Sequence, residues 1–173
     1  MAKNYGINPV MGTTKDVMVD VSTVDSHSAI QCDDIRLITS TLKPLLANET
    51  KNSETRFAFR IRIMVDGKKS FSYLEVKVNY FFDDAPDDLQ GYNLSFVLMA
   101  TFSPGADVPQ DAFIEFVKAY TLTILWPYAR EYASDQFRRV GNHDIILPII
   151  NPQVVTEQII ENDLVKVEII PQK

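Results

Sequence analysis

The sequence contains too few cysteines and histidines to build several common kinds of functional site. It has one cysteine, Cys32, and two histidines, His27 and His143. A single cysteine excludes an intrachain disulfide and a zinc site built on cysteine ligands. A Cys–His nucleophile pair would need Cys32 beside one of the histidines, and no known nucleophile signature surrounds it. We therefore interpret Cys32 as a thiol without a catalytic role.

Glycine-rich loops and long apolar runs are also missing. The six glycines form no phosphate-binding loop. No window approaches the roughly 18 apolar residues that a membrane span needs. Residues 1–20 contain no apolar run of signal-peptide length. We expect a cytoplasmic protein with no membrane span.

Charge and composition indicate a folded domain that is not a general nucleic-acid binder. The 173 residues carry a net charge of -6, with 46% apolar and 23% charged residues. A protein that binds nucleic acid usually has a basic surface, which this balance argues against. The acidic segment at 83–88 does not have the spacing of a calcium-binding EF-hand loop, so we interpret it as a solvated turn. Together these absences predict a protein without cofactor, metal or catalysis.

The pattern of apolar residues predicts four strands in the first part of the chain, with a hairpin at least between the second and the third. They are expected at Ile35–Leu46, Arg56–Val65, Ser70–Phe82 and Asn93–Phe102. Alternation indicates strands with one buried and one exposed face. Asp66-Gly67 is expected to be a tight hairpin turn, and Pro44 predicts that the first strand lies at a sheet edge because proline lacks a ladder donor.

Two details of these strands carry further expectations. In the third strand the apolar residues first occupy odd-numbered positions, as at Phe71 and Tyr73, and then even-numbered positions, as at Leu74 and Val76. This change of face predicts a bulge or a twist between them. The sequence further assigns most strand aromatics to the core, and these are Phe57, Phe59, Phe71, Tyr73, Phe96 and Phe102.

Helical periodicity follows the strands. Apolar residues at steps of three and four predict a helix over about 109–140, kinked near Pro127 and ended by Gly141. A short second helix is expected at Pro152–Glu161. The predicted fold is α+β: a four-stranded antiparallel sheet, a long kinked helix, a crossover loop and a short second helix. We expect a flexible N-terminal arm at 1–33, a domain at 34–162, and a tail or short extra strand at 163–173.

The crossover between the predicted helices is unusually apolar. It reads Ile-Ile-Leu-Pro-Ile-Ile over residues 145–150. A connecting loop of this composition is either covered by the helix layer or lines a site for apolar chain segments. The residues alone leave both alternatives open.

The sequence around the helix and the crossover resembles a known family. The stretch "ILWPYAREYASDQFRRVG" at residues 124–141 resembles the long helix of the export chaperone SecB and its relatives. The "LPIIN" at residues 147–151 resembles the crossover of the same family. The strand and helix order extends the resemblance over residues 34–162, as a similarity of pattern and not of identity.

The resemblance implies a chaperone without enzymatic activity. Proteins of the SecB family form a homotetramer, a dimer of dimers, and hold unfolded or non-native polypeptide in apolar grooves. By position, the resemblance implies that peptide is bound by Phe81, Phe82, Ile146, Ile149, Ile150 and Val154. It further implies that Trp126, Pro127 and Tyr128 pack the helix against the sheet or another subunit.

The biological process stays open at this stage. SecB docks on the export motor SecA partly through acidic residues on its sheet, and Thr41 and Leu45 stand near the positions where acids are expected. We therefore favour a holdase chaperone that is not clearly for export, with delivery of preproteins to SecA or protection of an antitoxin as alternatives. A small apolar ligand or one dedicated protein partner would be a function of a different class.

Overall fold

A five-stranded sheet with two helices forms the described part of the chain. The computed structural model describes residues 29–46, 56–82, 89–141, 145–162 and 165–170. The strands are β1 (Ile30–Leu46), β2 (Arg56–Asp66), β3 (Lys69–Phe81), β4 (Leu89–Pro104) and β5 (Lys166–Ile170), and the helices are α1 (Gln110–Arg139) and α2 (Pro152–Glu161). The predicted succession of four strands, long helix, crossover and short helix is confirmed. Most of the expected N-terminal arm, the acidic turn at 83–88 and both histidines lie outside the described residues.

The sheet has the strand order β1-β4-β3-β2-β5. Strands β1 to β4 pair antiparallel, and β2 and β3 are joined by a hairpin in which Gly67 has φ 55. The predictions of a turn at Asp66-Gly67 and of an edge position for β1 are both confirmed. Strand β1 nevertheless continues past Pro44 to Leu46 and begins at Ile30, within the segment expected to be an arm.

The predicted irregularity of β3 is wrong. This strand pairs with both neighbours without a register shift. Ser70 and Ser72 are fully buried and continue the inward row of Leu74 and Val76. The prediction was wrong because the two serines are small and polar but lie on the buried face. Phe71 is apolar but lies on the opposite, outward face. The register shifts are in β1, for example between Leu37 and Thr39.

One face of the sheet packs against α1 and forms the core. From the helix, Phe113, Val117, Leu125 and Phe137 are buried to 1% exposure or less. Full burial of such a side chain contributes about 1.5–3 kcal/mol. The core residues of the sheet are Ile61, Ile63, Val65, Leu74, Val76, Val78, Leu94, Phe96, Leu98, Ala100 and Phe102. The structure thus has two layers, with the opposite face of the sheet left uncovered by the described helices.

The assignment of all strand aromatics to this core is only partly correct. Phe96 and Phe102 are fully buried, whereas Phe57 is 39% exposed near the start of β2. Phe71 and Tyr73 are half-buried on the face away from α1. Phe57 faces α1, but its place at the start of β2 leaves part of the ring exposed, and alternation alone does not distinguish such a position from a core position.

Helix α1 begins and ends close to the predicted positions. Pro109 is its N-cap residue, and Gly141 follows the end with φ 83, a conformation that glycine adopts without strain. The helix continues through Pro127, whose side chain is exposed. The kink expected at this proline stays a prediction. Within the described residues no helix is long and apolar enough to cross a membrane.

The C-terminal segment forms a short extra strand, which is one of the two alternatives expected for residues 163–173. β5 pairs parallel with β2, in a register that joins Arg62 to Lys166 and Asp66 to Ile170. Helix α2 lies between the crossover and this strand in the sequence, which gives the chain enough length to return in the parallel direction. The sheet is therefore mixed, with four antiparallel strands and one short parallel strand.

Replacing Gly91 with alanine should disrupt the pairing of β3 with β4. A Cβ atom at position 91 would lie 1.9 Å from the backbone oxygen of Tyr80. The strands would have to separate locally, so we expect a loss of about 1–3 kcal/mol in the free energy of unfolding, measured by urea denaturation. Ser95→Ala, on the same strand, is the control and should change the free energy of unfolding by less than about 0.5 kcal/mol. Equal stability of the two variants would contradict the close approach.

Candidate functional site

The only tryptophan packs between α1 and the start of β2. The ring of Trp126 lies 5.5 Å from that of Phe59 and 6.1 Å from that of Phe57, measured between centroids. Trp126 is 3% exposed, whereas Phe57 stays at the surface. Tilted aromatic pairs at these separations are favourable beyond their buried area. The aromatic cluster therefore joins the helix to one end of the sheet and reaches solvent through Phe57.

Three side chains of α1 hold the crossover in place. Trp126 Nε1 donates to the Pro148 carbonyl at 3.3 Å, and Arg130 Nε donates to the Leu147 carbonyl at 3.0 Å. Ser134 Oγ donates to the Ile145 carbonyl at 3.2 Å. The three donors are four residues apart, so they lie along one side of the helix. The crossover backbone thus runs antiparallel to α1, and three of its carbonyls accept hydrogen bonds from that helix.

This attachment gives the crossover alternating buried and exposed side chains. Ile145 and Leu147 are 8% and 3% exposed, whereas Ile146 and Ile149 are 63% and 85% exposed. Ile150 is half-buried and packs against the core. We call residues 145–150 the crossover ledge. It presents two large apolar side chains to solvent on a backbone that is fixed by hydrogen bonds.

A second aromatic cluster lies at the C-terminal end of β3. The ring of Tyr80 is 6.2 Å from that of Phe137 and 5.6 Å from that of Phe82. Phe82 also contacts Tyr92 at 5.8 Å, edge to face. This cluster packs around the C-terminal part of α1, whereas the Trp126 cluster packs around its middle.

The structure brings some of the predicted peptide-binding residues together and separates others. Ile146, Ile149 and Ile150 lie on the crossover ledge, and Val154 is 46% exposed in the first turns of α2. Phe82 belongs to the second aromatic cluster. Phe81 is half-buried, and the parity of β3 places it on the sheet face opposite α1. Of the predicted packing residues, Trp126 is buried against β2, while Pro127 and Tyr128 are exposed.

Sequence reasoning missed several residues that shape this surface. Phe57 was assigned to the core, and Arg130 and Ser134 were not singled out. The sequence feature that could have identified Arg130 and Ser134 is their spacing of four residues from Trp126 and from each other. On a helix this spacing places both polar residues on the same side as the tryptophan. Polar groups on the inner side of a helix need partners, and an apolar loop with free carbonyls can supply them.

A groove between α1 and α2 adjoins the ledge. Its volume is about 410 Å³, and its lining includes Tyr120, Thr123, Asn151, Thr156 and Ile160. The Asn151 side chain caps α2 by accepting from the backbone of Gln153 and Val154. The Thr156 hydroxyl is buried and has no hydrogen-bond partner among the described residues. The groove thus has a mixed lining of apolar and polar side chains, one of which is an unsatisfied hydroxyl.

The described residues contain little that could perform covalent chemistry. Partial burial raises the pKa of the Cys32 thiol, the Asp33 and Asp34 carboxylates raise it further, and the Asp34 backbone opposes the increase. A raised pKa keeps the thiol protonated, and the protonated form is a poor nucleophile. Within the described ranges, no group of three or more His, Cys, Asp or Glu side chains could hold a metal ion.

Comparison with known proteins gives structural matches but no match by sequence. No family model and no curated protein sequence matches the chain. Among solved structures, the SecB-like chaperone Rv1957 of Mycobacterium tuberculosis, in complex with a ChAD peptide from the HigA1 antitoxin Rv1956, matches with a TM-score of 0.56. The sequences are 17% identical, and the match covers 71% of this chain and 91% of that one. A protein of unknown function from Streptococcus agalactiae matches with a TM-score of 0.36 at 8% identity, covering 69% of this chain and 97% of that one.

The chain therefore has the SecB-like fold. The α+β class expected from the sequence and from the family resemblance is confirmed, with β5 as a fifth strand. At 17% identity this likeness concerns the fold. The activity of the chain has to be argued from its own surface.

Replacing Arg130 with methionine should loosen the crossover ledge. The Leu147 carbonyl would lose its charged donor, and such hydrogen bonds contribute about 1.5–3 kcal/mol. Trp126 is the only tryptophan and itself donates to the ledge, so its fluorescence reports on the change. We expect stronger quenching by acrylamide in Arg130→Met than in the control Arg138→Met, whose side chain is exposed. Equal quenching in the two variants would contradict a supporting role for Arg130.

Alkylation of Cys32 should be slow at neutral pH. The raised pKa leaves little thiolate near pH 7, and the thiolate fraction grows as the pH approaches and passes that pKa. We expect the rate with iodoacetamide to rise throughout the range from about pH 7 to 9, measured by mass spectrometry. A rate that is already at its plateau at neutral pH would mean an activated thiol.

Proposed function

We propose that this chain is a SecB-like holdase chaperone that binds unfolded or extended polypeptide, in a process that need not be export. The observation that carries the proposal is the exposure of Ile146 and Ile149 on the hydrogen-bonded crossover ledge. Exposed apolar side chains on a fixed backbone are favourable for binding other apolar chains, because little conformational entropy is lost in the complex.

The physical basis is hydrophobic contact with little sequence selectivity. Burial of apolar area contributes about 25 cal/mol per Å² and requires no particular partner geometry. Several weak contacts on a wide surface allow many different chains to bind. The two exposed isoleucines, Val154 on α2 and the exposed edge of Phe57 offer such contacts.

We propose that the client-binding surface extends from the ledge in two directions. One extension is α2 with Val154, along the groove that contains Tyr120 and Thr156. The other leads through Ile150 to the end of β3, where Phe82 and Phe81 lie. Phe81 faces the opposite side of the sheet, so it would contact only a chain that passes around the strand end.

We propose assembly into a homotetramer, a dimer of dimers, through the outer side of α1. Aromatic and aliphatic residues recur every fourth position along the helix at half-buried or exposed positions, namely Phe116, Tyr120, Ile124, Tyr128 and Tyr132. Tyr120 and Tyr128 are 48% and 49% exposed, and Phe116 stacks on Tyr120 at 4.5 Å. A row of this kind can pack against another helix. Trp126 would support it from the inner side of α1, and Pro127 shapes its outer side.

An antitoxin is the more specific client that the comparison favours. The Mycobacterium tuberculosis chaperone of the same fold was solved with a peptide from an antitoxin. Delivery of exported proteins to SecA is the runner-up. On the sheet face where acidic residues would serve that contact, Thr41 neighbours Lys43 along β1 and shares a row with Lys77 of β3. We further propose that the protein acts in the cytoplasm, without catalysis and without a cofactor.

The double substitution Ile146→Ser and Ile149→Ser should impair client binding. Removing two exposed apolar contacts should weaken binding at least about tenfold, since burying one such side chain contributes about 1.5–3 kcal/mol. The measurement is suppression of aggregation of several denatured model proteins, with the native mass followed by light scattering. We expect wild type to suppress aggregation as a species of four times the chain mass, and the variant to keep that mass.

A matched control separates the ledge from exposed apolar surface in general. Leu46→Ser with Ile169→Ser removes two side chains that are 45% and 58% exposed elsewhere on the molecule. This control should suppress aggregation like wild type. Suppression of one client only would indicate a dedicated partner. No suppression by a wild-type monomer or dimer would contradict the holdase proposal and leave a small apolar ligand as the next hypothesis.

A further inference from the structure

The sheet face that points away from α1 carries a concentrated group of cations. Strand pairing places Arg36, Met99, Tyr73, Arg62 and Lys166 in one row across all five strands. The rows beside it add Arg60, Lys77 and Lys43 on the same face. We call the six cations Lys43, Arg36, Lys77, Arg60, Arg62 and Lys166 the basic face. Within these rows the described residues include one carboxylate, Glu75, which pairs with Lys77 at 3.6 Å.

The basic face contrasts with the rest of the protein. The whole chain has a net charge of -6. The helix layer, described at 105–141 and 145–162, holds seven carboxylates and four cations. Next to the basic face, the row that runs from Asp34 to Glu168 is acidic. Random placement of surface charge would mix the signs, so this separation indicates a surface with a specific electrostatic complement.

Most of these cations are available for a partner. Arg60, Lys43 and Lys166 are exposed and form no ion pair with any described residue. Arg36 pairs with Asp34, and both side chains are solvent-accessible. Exposed ion pairs of this kind contribute little, so they can be exchanged for a partner's carboxylates at little cost.

A shallow depression in the basic face has room for a small acidic side chain. It has a volume of about 90 Å³ and is lined by Ala58, Phe59, Arg60, Glu75 and Lys77. The small side chain of Ala58 leaves the space, and Arg60 and Lys77 stand on either side of it. A carboxylate placed there would accept hydrogen bonds from two cations, although it would also lie close to Glu75.

The chemistry of the face favours an acidic polypeptide over a nucleic acid. Sheets that bind single-stranded nucleic acid stack bases on exposed aromatic rings. Here the Arg62 guanidinium lies 4.7 Å from the Tyr73 ring centre and covers the face that a base would need. Phe71 lies outside the basic face, in a row that ends at Asp34 and Glu168.

We propose that the basic face is a docking surface for an acidic segment of a partner protein, rich in Asp and Glu. It is separate from the crossover ledge, since the two lie on opposite sides of the sheet. The crossover ledge would bind apolar polypeptide, and the basic face would recognise a particular acidic partner. The proposal does not depend on the chaperone proposal, because charge and not apolar contact carries it.

The test is binding of a short fluorescein-labelled peptide in which Glu alternates with Ser, followed by fluorescence anisotropy. We expect saturable binding to the full chain that weakens as salt is raised, because exposed charges are screened. Arg60→Ser with Lys77→Ser should weaken binding about five- to tenfold, the effect of losing two partly exposed charge pairs. Lys68→Ser with Arg138→Ser removes the same charge away from the face and should bind like wild type.

Three outcomes would overturn the proposal: no binding by wild type, an equal loss in the control, or tighter binding of single-stranded oligothymidylate than of the peptide. The last result would assign the face to nucleic acid. The variant Ile146→Ser with Ile149→Ser should bind the acidic peptide normally, and Arg60→Ser with Lys77→Ser should still suppress aggregation. The two surfaces are therefore tested independently.

Discussion

The packing of Trp126 is the constraint on which the rest of the site depends. Its ring is buried between α1 and the two phenylalanines at the start of β2, and its indole nitrogen donates to the Pro148 carbonyl. One side chain thus joins the helix, the sheet and the crossover. Arg130 and Ser134 continue the attachment along the same side of the helix. Without these donors the three bonded crossover carbonyls would depend on solvent, and only the burial of Ile145 and Leu147 would keep the alternate isoleucines pointing outward.

The attachment explains how an apolar loop can stay exposed without collapsing onto the core. Ile145 and Leu147 are already buried, which anchors the ledge, and its backbone is hydrogen-bonded. The remaining isoleucines cannot turn inward without breaking those bonds. A fixed apolar surface of this kind can bind another chain with a small loss of conformational entropy. The basic face on the other side of the sheet does not depend on hydrogen bonds from α1, because strand register alone brings its cations together.

Particular elements show what sequence reasoning could achieve. The hairpin at Asp66-Gly67, the edge position of β1 and the end of α1 at Gly141 were all predicted, because each depends on local backbone preferences. The bulge in β3 was predicted wrongly because Ser70 and Ser72 are buried, and polarity was read as exposure. Phe57 was assigned to the core because periodicity does not report how exposed an inward position stays near the start of a strand. The apolar crossover was recognised, but the alternation of its buried and exposed residues was not.

The sequence by itself determined the order of the elements, the two faces of the strands, and the presence of an apolar connection between two helices. These properties follow from periodicity, glycine and proline, which act over a few residues. Only the tertiary structure decided that Trp126, Arg130 and Ser134 hold the ledge, that β5 returns parallel to β2, and that six cations share one face. Those arrangements join residues that are far apart in the chain, from Arg36 to Lys166, and they depend on strand register and helix placement. Local preferences do not encode such pairings, because each results from the packing of the whole core.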